Sequence, residues 1–496
     1  MNRASGILLA ISSLPSKYGI GCFSKEAYSF VDWLKSAGQK YWQILPMGPT
    51  SYGDSPYQSF STFAGNPYYI DLEELIQKGW ITKAQCDKFD WGKIVTSVDY
   101  EKIYNSRFKL LRKAYENSSI NDDPKFHEFI EANSHWVYDY ALFMALKGRF
   151  EQKPWHEWPT DIRNRYGYSI DYYRKECYFE VEFWLFTQYI FSNQWNRLKA
   201  YANEQGIQII GDIPIYVAYD SADVWANRQL FQFDENQVPK AVAGCPPDGF
   251  SADGQLWGNP LYQWDYHRNT NYDWWILRIQ HCFTLYDVVR IDHFRGFDEY
   301  YSIPYGDTTA HNGHWEKGPG IELFHAIDNR LGKREIIAED LGFVTESVKE
   351  LVLKTGFSGM KILEFAFDAR DSGSASDYLP HNYSSNSVVY TGTHDNETLA
   401  GWWKNIKQQE RDMVKNYFFD SHTEDEDILE TMIRGTMRSV SKLCIIPMQD
   451  YLKLDNSARM NQPSTLGGNW QWRITKNQLT SELAKNIYSI TRLYGR

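Results

Sequence analysis

Tyr286-Asp287-Val288-Val289-Arg290-Ile291-Asp292-His293-Phe294-Arg295-Gly296 contains a short apolar run that reads as a buried strand, yet two of its inward positions are charged. Side chains alternate faces along a strand, so Val288, Arg290 and Asp292 share one face. A strand covered on both sides carries aliphatics at such places. Taken alone, the segment leaves two readings open: a satisfied internal ion pair, or a guanidinium and a carboxylate held for chemistry.

Outward from this strand, seven more stretches have strand character, at 6–14, 41–46, 206–217, 334–339, 360–367, 387–393 and 442–448. Helical periodicity covers 25–37, 171–203 and 481–494, and helical patterns separate the later strands. Eight strands, each followed by a helix or an insertion, are the signature of a parallel α/β fold, here a closed (β/α)8 TIM barrel. The alternative, an open doubly wound sheet, lacks its glycine-rich turn: Gly19-Ile20-Gly21 comes nearest and misses the third glycine. Three insertions interrupt the alternation: a loop-rich one at about 47–72, a charged helical one at about 73–168 and a second loop-rich one at about 218–271. No linker, repeat or low-complexity tract divides the chain, so residues 1–496 are expected to form a single barrel domain.

Composition bounds the partners. Against 52 basic residues stand 63 acidic ones, and a net charge of −11 argues against a nucleic-acid or anionic-membrane surface. The 19 Trp, 35 Tyr and 27 Phe supply flat faces with polar tips that suit both a core and the face of a sugar ring. Six cysteines lie far apart with no zinc-like spacing, as free thiols of a reducing compartment would, so a cytoplasmic location is expected. The N-terminal apolar run breaks at Ser12-Ser13 and reads as a first strand rather than a signal peptide. No run reaches the roughly 18 apolar residues a membrane span needs.

In a barrel of this kind chemistry is built at the C-terminal ends of the strands. Four strands end alike: Asp212 closes Ile-Ile-Gly-Asp, Asp292 closes Val-Val-Arg-Ile-Asp, Glu339 closes Ile-Ile-Ala-Glu, and Asp395 follows Val-Val-Tyr-Thr-Gly-Thr-His. Acids gathered at one rim repel one another, which keeps at least one protonated near neutrality. Glycosyl transfer needs such a set, one ionised carboxylate and one protonated acid. Arg290 would keep Asp292 ionised, which makes Asp292 the nucleophile candidate and Glu339 the acid/base.

The motifs Arg290-Ile-Asp-His293, Ala338-Glu-Asp-Leu-Gly342, Thr393-His-Asp-Asn396 and Gly211-Asp-Ile-Pro-Ile-Tyr-Val217 resemble the strand-end motifs of the α-amylase clan. More narrowly, 246–260 (Pro-Pro-Asp-Gly-Phe-Ser-Ala-Asp-Gly-Gln-Leu-Trp-Gly-Asn-Pro), Gly53-Asp-Ser-Pro-Tyr-Gln58, Arg459-Met-Asn461 and Gly468-Asn-Trp470 resemble the amylomaltases, the 4-α-glucanotransferases of glycoside hydrolase family 77. Where some amylomaltases carry Tyr before the loop Phe, this chain has Gly249. The resemblance implies Asp292 as nucleophile, Glu339 as general acid/base and Asp395 as a third acid gripping sugar hydroxyls. It implies substrate contacts from Arg290, His394, Asp212, Ser55, Tyr57, Gln255, Trp257, Asp368 and Asn461, with the 218–271 insertion on the acceptor side. Asp212 stands equally well as a structural residue. His293 is expected to face the helix layer, and Trp184 and Trp195 to be core. The expected partners are malto-oligosaccharides and other α-1,4-glucans, with no cofactor or metal. Two rivals remain: an α-amylase-like hydrolase, and a catalytically silent glucan-binding protein.

Overall fold

The computed structural model describes residues 3–51, 53–247, 253–342, 344–369, 375–418 and 425–496. Its centre is a closed barrel of eight parallel strands: β1 (Ala4–Leu8), β2 (Tyr41–Gln43), β3 (Gln208–Pro214), β4 (Val288–Asp292), β5 (Ile336–Ala338), β6 (Ser358–Ile362), β7 (Ser387–Tyr390) and β8 (Leu443–Pro447). β1 closes the ring by pairing with β2 on one side and β8 on the other, so no strand edge is left open. All eight strands lie where the sequence places them. Five of them, β1, β2, β3, β6 and β7, end three or more residues earlier than expected; after β1 and β6 the chain turns over the rim in 3-10 helices, Ile11–Ser13 and Leu363–Phe367.

The barrel interior is partly polar. Gln43, Asp212, Arg290, Met360 and Tyr390 are all buried, and the Tyr390 hydroxyl donates to Gln43 Oε1 at 2.8 Å across the lumen. Gly211 explains the first residue of the deciding stretch: a Cβ there would lie 2.2 Å from the Tyr286 ring, so only glycine lets that ring lie against β3.

The insertions are more ordered than the sequence suggests. The helical one contains Tyr100–Asn117, Pro124–Ala132 and Val137–Arg149, the last buried against the long helix Tyr178–Glu204. The single helix expected over 171–203 is two, Gly167–Glu176 and Tyr178–Glu204, broken at Cys177. Lys147 is fully buried, and its Nζ meets Asp220 at 2.6 Å, tying the helical insertion to the segment after β3.

The 218–271 insertion is not simply loop. Its strands Ala241–Cys245 and Gln255–Pro260 join Glu299–Pro304 and His314–Lys317 in a four-stranded antiparallel sheet, so the excursions after β3 and β4 form one layer. One apolar core runs continuously from Ala4 to Ile490 and includes Trp184 and Trp195, with a small satellite of Val242, Tyr301, Ile303 and Ala310 under the antiparallel sheet. Among the described residues no helix is long and apolar enough to cross a membrane.

Candidate active site

Register builds the site. β3 pairs with β4 so that Asp212 lies opposite Arg290, and β4 pairs with β5 so that Ile291 lies opposite Ala338. The next step along each strand brings Asp292 beside Glu339, with the Glu339 amide donating to the Ile291 carbonyl at 3.1 Å. Neighbouring strands run about 4.8 Å apart, so two side chains at paired strand ends on one face flank a space the width of one bond and its substituents.

Arg290 is the electrostatic hub. Its Nη1 lies 2.8 Å from both Asp212 oxygens and 3.0 Å from Asp292 Oδ1, while Nε points at the Met360 sulfur at 3.3 Å. Burial works against its charge, but Asp212 and Asp292 outweigh burial and hold the guanidinium well above its ordinary value. Asp212 has no exposed surface, and besides Arg290 it accepts the Tyr57 hydroxyl at 2.9 Å. Burial pushes the Asp212 carboxyl up, and Arg290 opposes that push. Asp212 thus reaches the cleft only through the groups it holds, Arg290 and Tyr57.

Glu339 differs in kind from Asp292. Its oxygens accept the backbone N–H of His293 at 2.7 Å and of Leu341 at 3.0 Å, which favour the ionised form. Burial and the neighbouring Asp292 charge outweigh these and push the carboxyl up to about 8, so it keeps its proton at neutrality. Asp292 has 28 % of its side chain exposed and carries the ion pair to Arg290.

Asp395 comes from the turn after β7. The Asn396 side chain accepts the Thr393 amide and hydroxyl, each at 2.9 Å, and this closed turn presents His394 and Asp395 to the rim. His394 Nε2 lies 3.3 Å from Asp395 Oδ2, and Asn461 Nδ2 donates to Oδ1 at 2.6 Å. Burial favours the protonated acid, but His394 and Asn461 hold Asp395 well below the usual carboxylate range. Burial also lowers His394, but the Asp395 charge raises it further, above its ordinary value. With 41 % of its side chain exposed, Asp395 faces the cleft as an ionised acceptor. Tyr57 stacks on His394 at 5.1 Å between ring centres and 16° between planes. Among the described residues no set of three or more His, Cys, Asp or Glu side chains is grouped as metal ligands are.

A carboxyl pushed up to about 8 beside one paired with a buried guanidinium, with a third held low on the same rim, is an arrangement that glycosyl transfer can use. The model of the 4-alpha-glucanotransferases, glycoside hydrolase family 77, matches residues 9–480. The chain belongs to this family. A 4-alpha-glucanotransferase of Clostridium butyricum is 51 % identical over 98 % of this chain and 99 % of the relative. That of Thermus thermophilus is 44 % identical over 97 % of this chain and 96 % of its own. The solved amylomaltase of Streptococcus agalactiae in complex with acarbose is 44 % identical, covers 100 % of this chain and 99 % of its own, and superposes with a TM-score of 0.96. The enzyme is accordingly a glucan transferase rather than an α-amylase-like hydrolase.

The remaining residues named from the 4-α-glucanotransferase motifs fall in three places. Ser55 and Tyr57 lie in the loop after β2, where the Ser55 hydroxyl accepts the Tyr57 amide at 3.3 Å. Gln255 and Trp257 lie on the antiparallel sheet, with the indole N–H donating to Gln255 Oε1 at 3.0 Å. Asp368 follows the 3-10 helix Leu363–Phe367 beyond β6 and is half-buried. Gly249, at which the sequence departs from some amylomaltases, lies outside the described residues.

His293 does not face the helix layer as the sequence suggested. Its backbone is left-handed, with φ 52°, and its ring sits edge-on to Trp257 at 4.8 Å between centres. The sequence also assigned no role to Arg459. Its Nη2 donates to the Asp395 carbonyl at 2.6 Å and its Nε to the Asn461 carbonyl at 2.7 Å, which clamps the loop after β8 to the loop after β7. Its place in the Arg459-Met-Asn461 motif was the available signal. Trp470, against both Tyr57 and His394, had a similar one in Gly468-Asn-Trp470.

Proposed function

We propose that this 4-α-glucanotransferase moves α-1,4-glucan segments between malto-oligosaccharides by a retaining double displacement. Glu339 gives its proton to the glycosidic oxygen while Asp292 attacks the anomeric carbon, and the fragment on the reducing side leaves as an alcohol. The products of this half are a glycosyl ester on Asp292 and an ionised Glu339. Glu339 then takes the proton of the 4-hydroxyl of a second glucan, whose oxygen displaces Asp292 and restores the α linkage. Arg290 holds the nucleophile's charge, and Asp395, ionised by His394 and Asn461, accepts sugar hydroxyls that tighten as the ring flattens toward the oxocarbenium-like transition state.

The observation that carries this reading is the contrast across one strand pair: a carboxyl pushed up to about 8 beside a carboxylate paired with a buried guanidinium. The strand spacing of about 4.8 Å supports the retaining arrangement, which needs carboxyls about 5–5.5 Å apart, over the inverting one at about 6.5–9.5 Å. Tyr57, Ser55, Gln255 and Trp257 line the acceptor side, Asp368 is a more distant sugar contact, and Asp212 acts through Arg290 and Tyr57. The continuous core supports one catalytic unit spanning the chain. The six free cysteines fit the cytoplasm, and the charge of −11 fits neutral glucans rather than nucleic acid.

Incubation with maltotriose tests the reading. Transfer yields glucose and a ladder of longer oligosaccharides with no net gain of reducing ends. A net gain of reducing ends matching the glucose released would indicate hydrolysis, and unchanged maltotriose a silent binding protein.

A further inference from the structure

His293 follows Asp292 in the chain, donates its backbone N–H to Glu339 Oε2 at 2.7 Å, and sets its imidazole nearly perpendicular to the Trp257 ring. One residue therefore touches the acid/base through its backbone and the acceptor-side aromatic through its ring. The left-handed turn at φ 52° and ψ 49° makes this double contact possible, because it sends the amide toward β5 and the side chain away from it. A Cβ at Gly296 would lie 3.3 Å from His293 Cδ2 and 3.2 Å from the Tyr216 hydroxyl, so the ring is also confined from beneath.

Among the described residues the ring is held by packing. Its Nε2 is buried with no hydrogen-bond partner among the described residues. Burial drives the imidazole down to about 4, so it meets Trp257 as a neutral ring, with Asp292 and Arg295 as the charges around it. Trp257 is in turn held by Gln255 at its N–H and by Tyr216, whose ring centre lies 6.2 Å away. Tyr216 itself stacks on Tyr262. His293, Tyr216 and Gln255 form a three-sided seat for one half-buried indole beside the reactive carboxyls.

We propose that His293 is a positioning residue that seats Trp257 as the platform for the incoming sugar, and so favours glucan over water as acceptor of the Asp292-bound segment. The inference rests on the roles proposed for Asp292 and Glu339 and adds how the second half-reaction selects its acceptor. A sugar must lie against an aromatic face to bring its 4-hydroxyl to Glu339, whereas water needs no platform. Loosening the indole therefore lowers the effective concentration of sugar and leaves that of water unchanged.

The test uses His293→Asn and His293→Gly, both compatible with a left-handed residue and both retaining the N–H to Glu339. The glycine variant keeps the experiment decisive if asparagine disturbs the turn. Each is assayed on maltotriose with added glucose as acceptor, recording ladder products and net reducing ends separately. Loss of one edge-to-face contact predicts a hydrolytic share raised about three- to ten-fold and a higher KM for acceptor, with donor cleavage falling less than acceptor capture. Trp257→Ala should give a larger shift, and adding His293→Asn to it should change the ratio no further, because the ring acts through the indole. An unchanged ratio in both single variants, or additive effects in the double variant, would overturn the proposal. A wild-type enzyme that makes no ladder at all would instead strike at the transferase reading beneath it.

Discussion

Replacing Glu339 by glutamine should make the protein less active and more stable, and the gain should grow with pH. Folded Glu339 holds its proton up to about pH 8, whereas the unfolded chain releases it near 4.5. Between those values the folded state binds more protons, so the contribution of this group is complete below about 4.5 and is lost as pH rises toward about 8. The slope approaches about 1.4 kcal/mol per pH unit. Allowing for relaxation around a group that is not fully buried, about 2–3 kcal/mol of destabilisation should accumulate from pH 5 to 8 in the wild type and be absent from Glu339→Gln. Unfolding entropy for a chain of 496 residues is about 1 kcal/mol per kelvin, so the expected effect is about 2–3 °C in melting temperature. The assay is a set of thermal melts of both proteins at pH 5, 6.5 and 8 under one scan rate. The two curves should diverge with rising pH, the variant melting higher. Curves parallel across this range would mean that Glu339 titrates as an ordinary carboxyl, and the assignment of the acid would fail.

Other outcomes follow from the same geometry. Asp292→Asn should lower transfer on the order of a thousand-fold or more while leaving the melting temperature and retention on a glucan column close to wild type; activity near wild type would remove Asp292 as nucleophile. Arg290→Met strips two buried or half-buried carboxyls of their shared cation. It should cost about 3–5 kcal/mol, read as a melting temperature lower by about 3–5 °C at pH 7, and acidification toward pH 5 should recover part of the loss as the stranded acids take up protons. A melt within a degree of wild type would show the pairing to be dispensable. Asn461→Ala removes a donor that holds Asp395 ionised, so the titration of the Asp395 carboxyl, followed by carbon NMR of labelled aspartate, should move to higher pH while His394 still keeps it low. An unmoved titration would show that Asn461 does not contribute to the ionisation of Asp395.

The barrel was legible because its strands are short apolar runs that end in charge. Ile-Ile-Gly-Asp212 and Val-Val-Arg-Ile-Asp292 both announce a buried strand reaching a reactive rim, and parallel register does the rest by setting Asp212 opposite Arg290. The antiparallel sheet was not legible for the opposite reason. Its strands Gln255–Pro260 and His314–Lys317 consist mostly of exposed and part-buried residues, are interrupted by glycine and charge, and pair across the excursions after β3 and β4. The break at Cys177 carries no glycine or proline to mark it. In the site, residue types at strand ends were readable, but partners brought by tertiary contact were not. Nothing local to Asp395 points to Asn461, 66 positions away, or to the Arg459 clamp above it. His293 was misjudged because the period of β4 was carried one residue too far: the chain turns left-handed there, and the face that a continuing strand would have given to the helix layer is given to Trp257.

The account depends most on which carboxylate carries the sugar, and Glu339→Gln can report it directly. An α-maltosyl fluoride needs no proton to lose its leaving group, so Asp292 can still be glycosylated in this variant, while release is slowed because no base remains to activate an acceptor. Peptide mass spectrometry after rapid acid quench should then find one maltosyl unit on the peptide that contains Asp292. The unit on the peptide containing Asp395, or an unlabelled protein releasing maltose of inverted configuration, would contradict it.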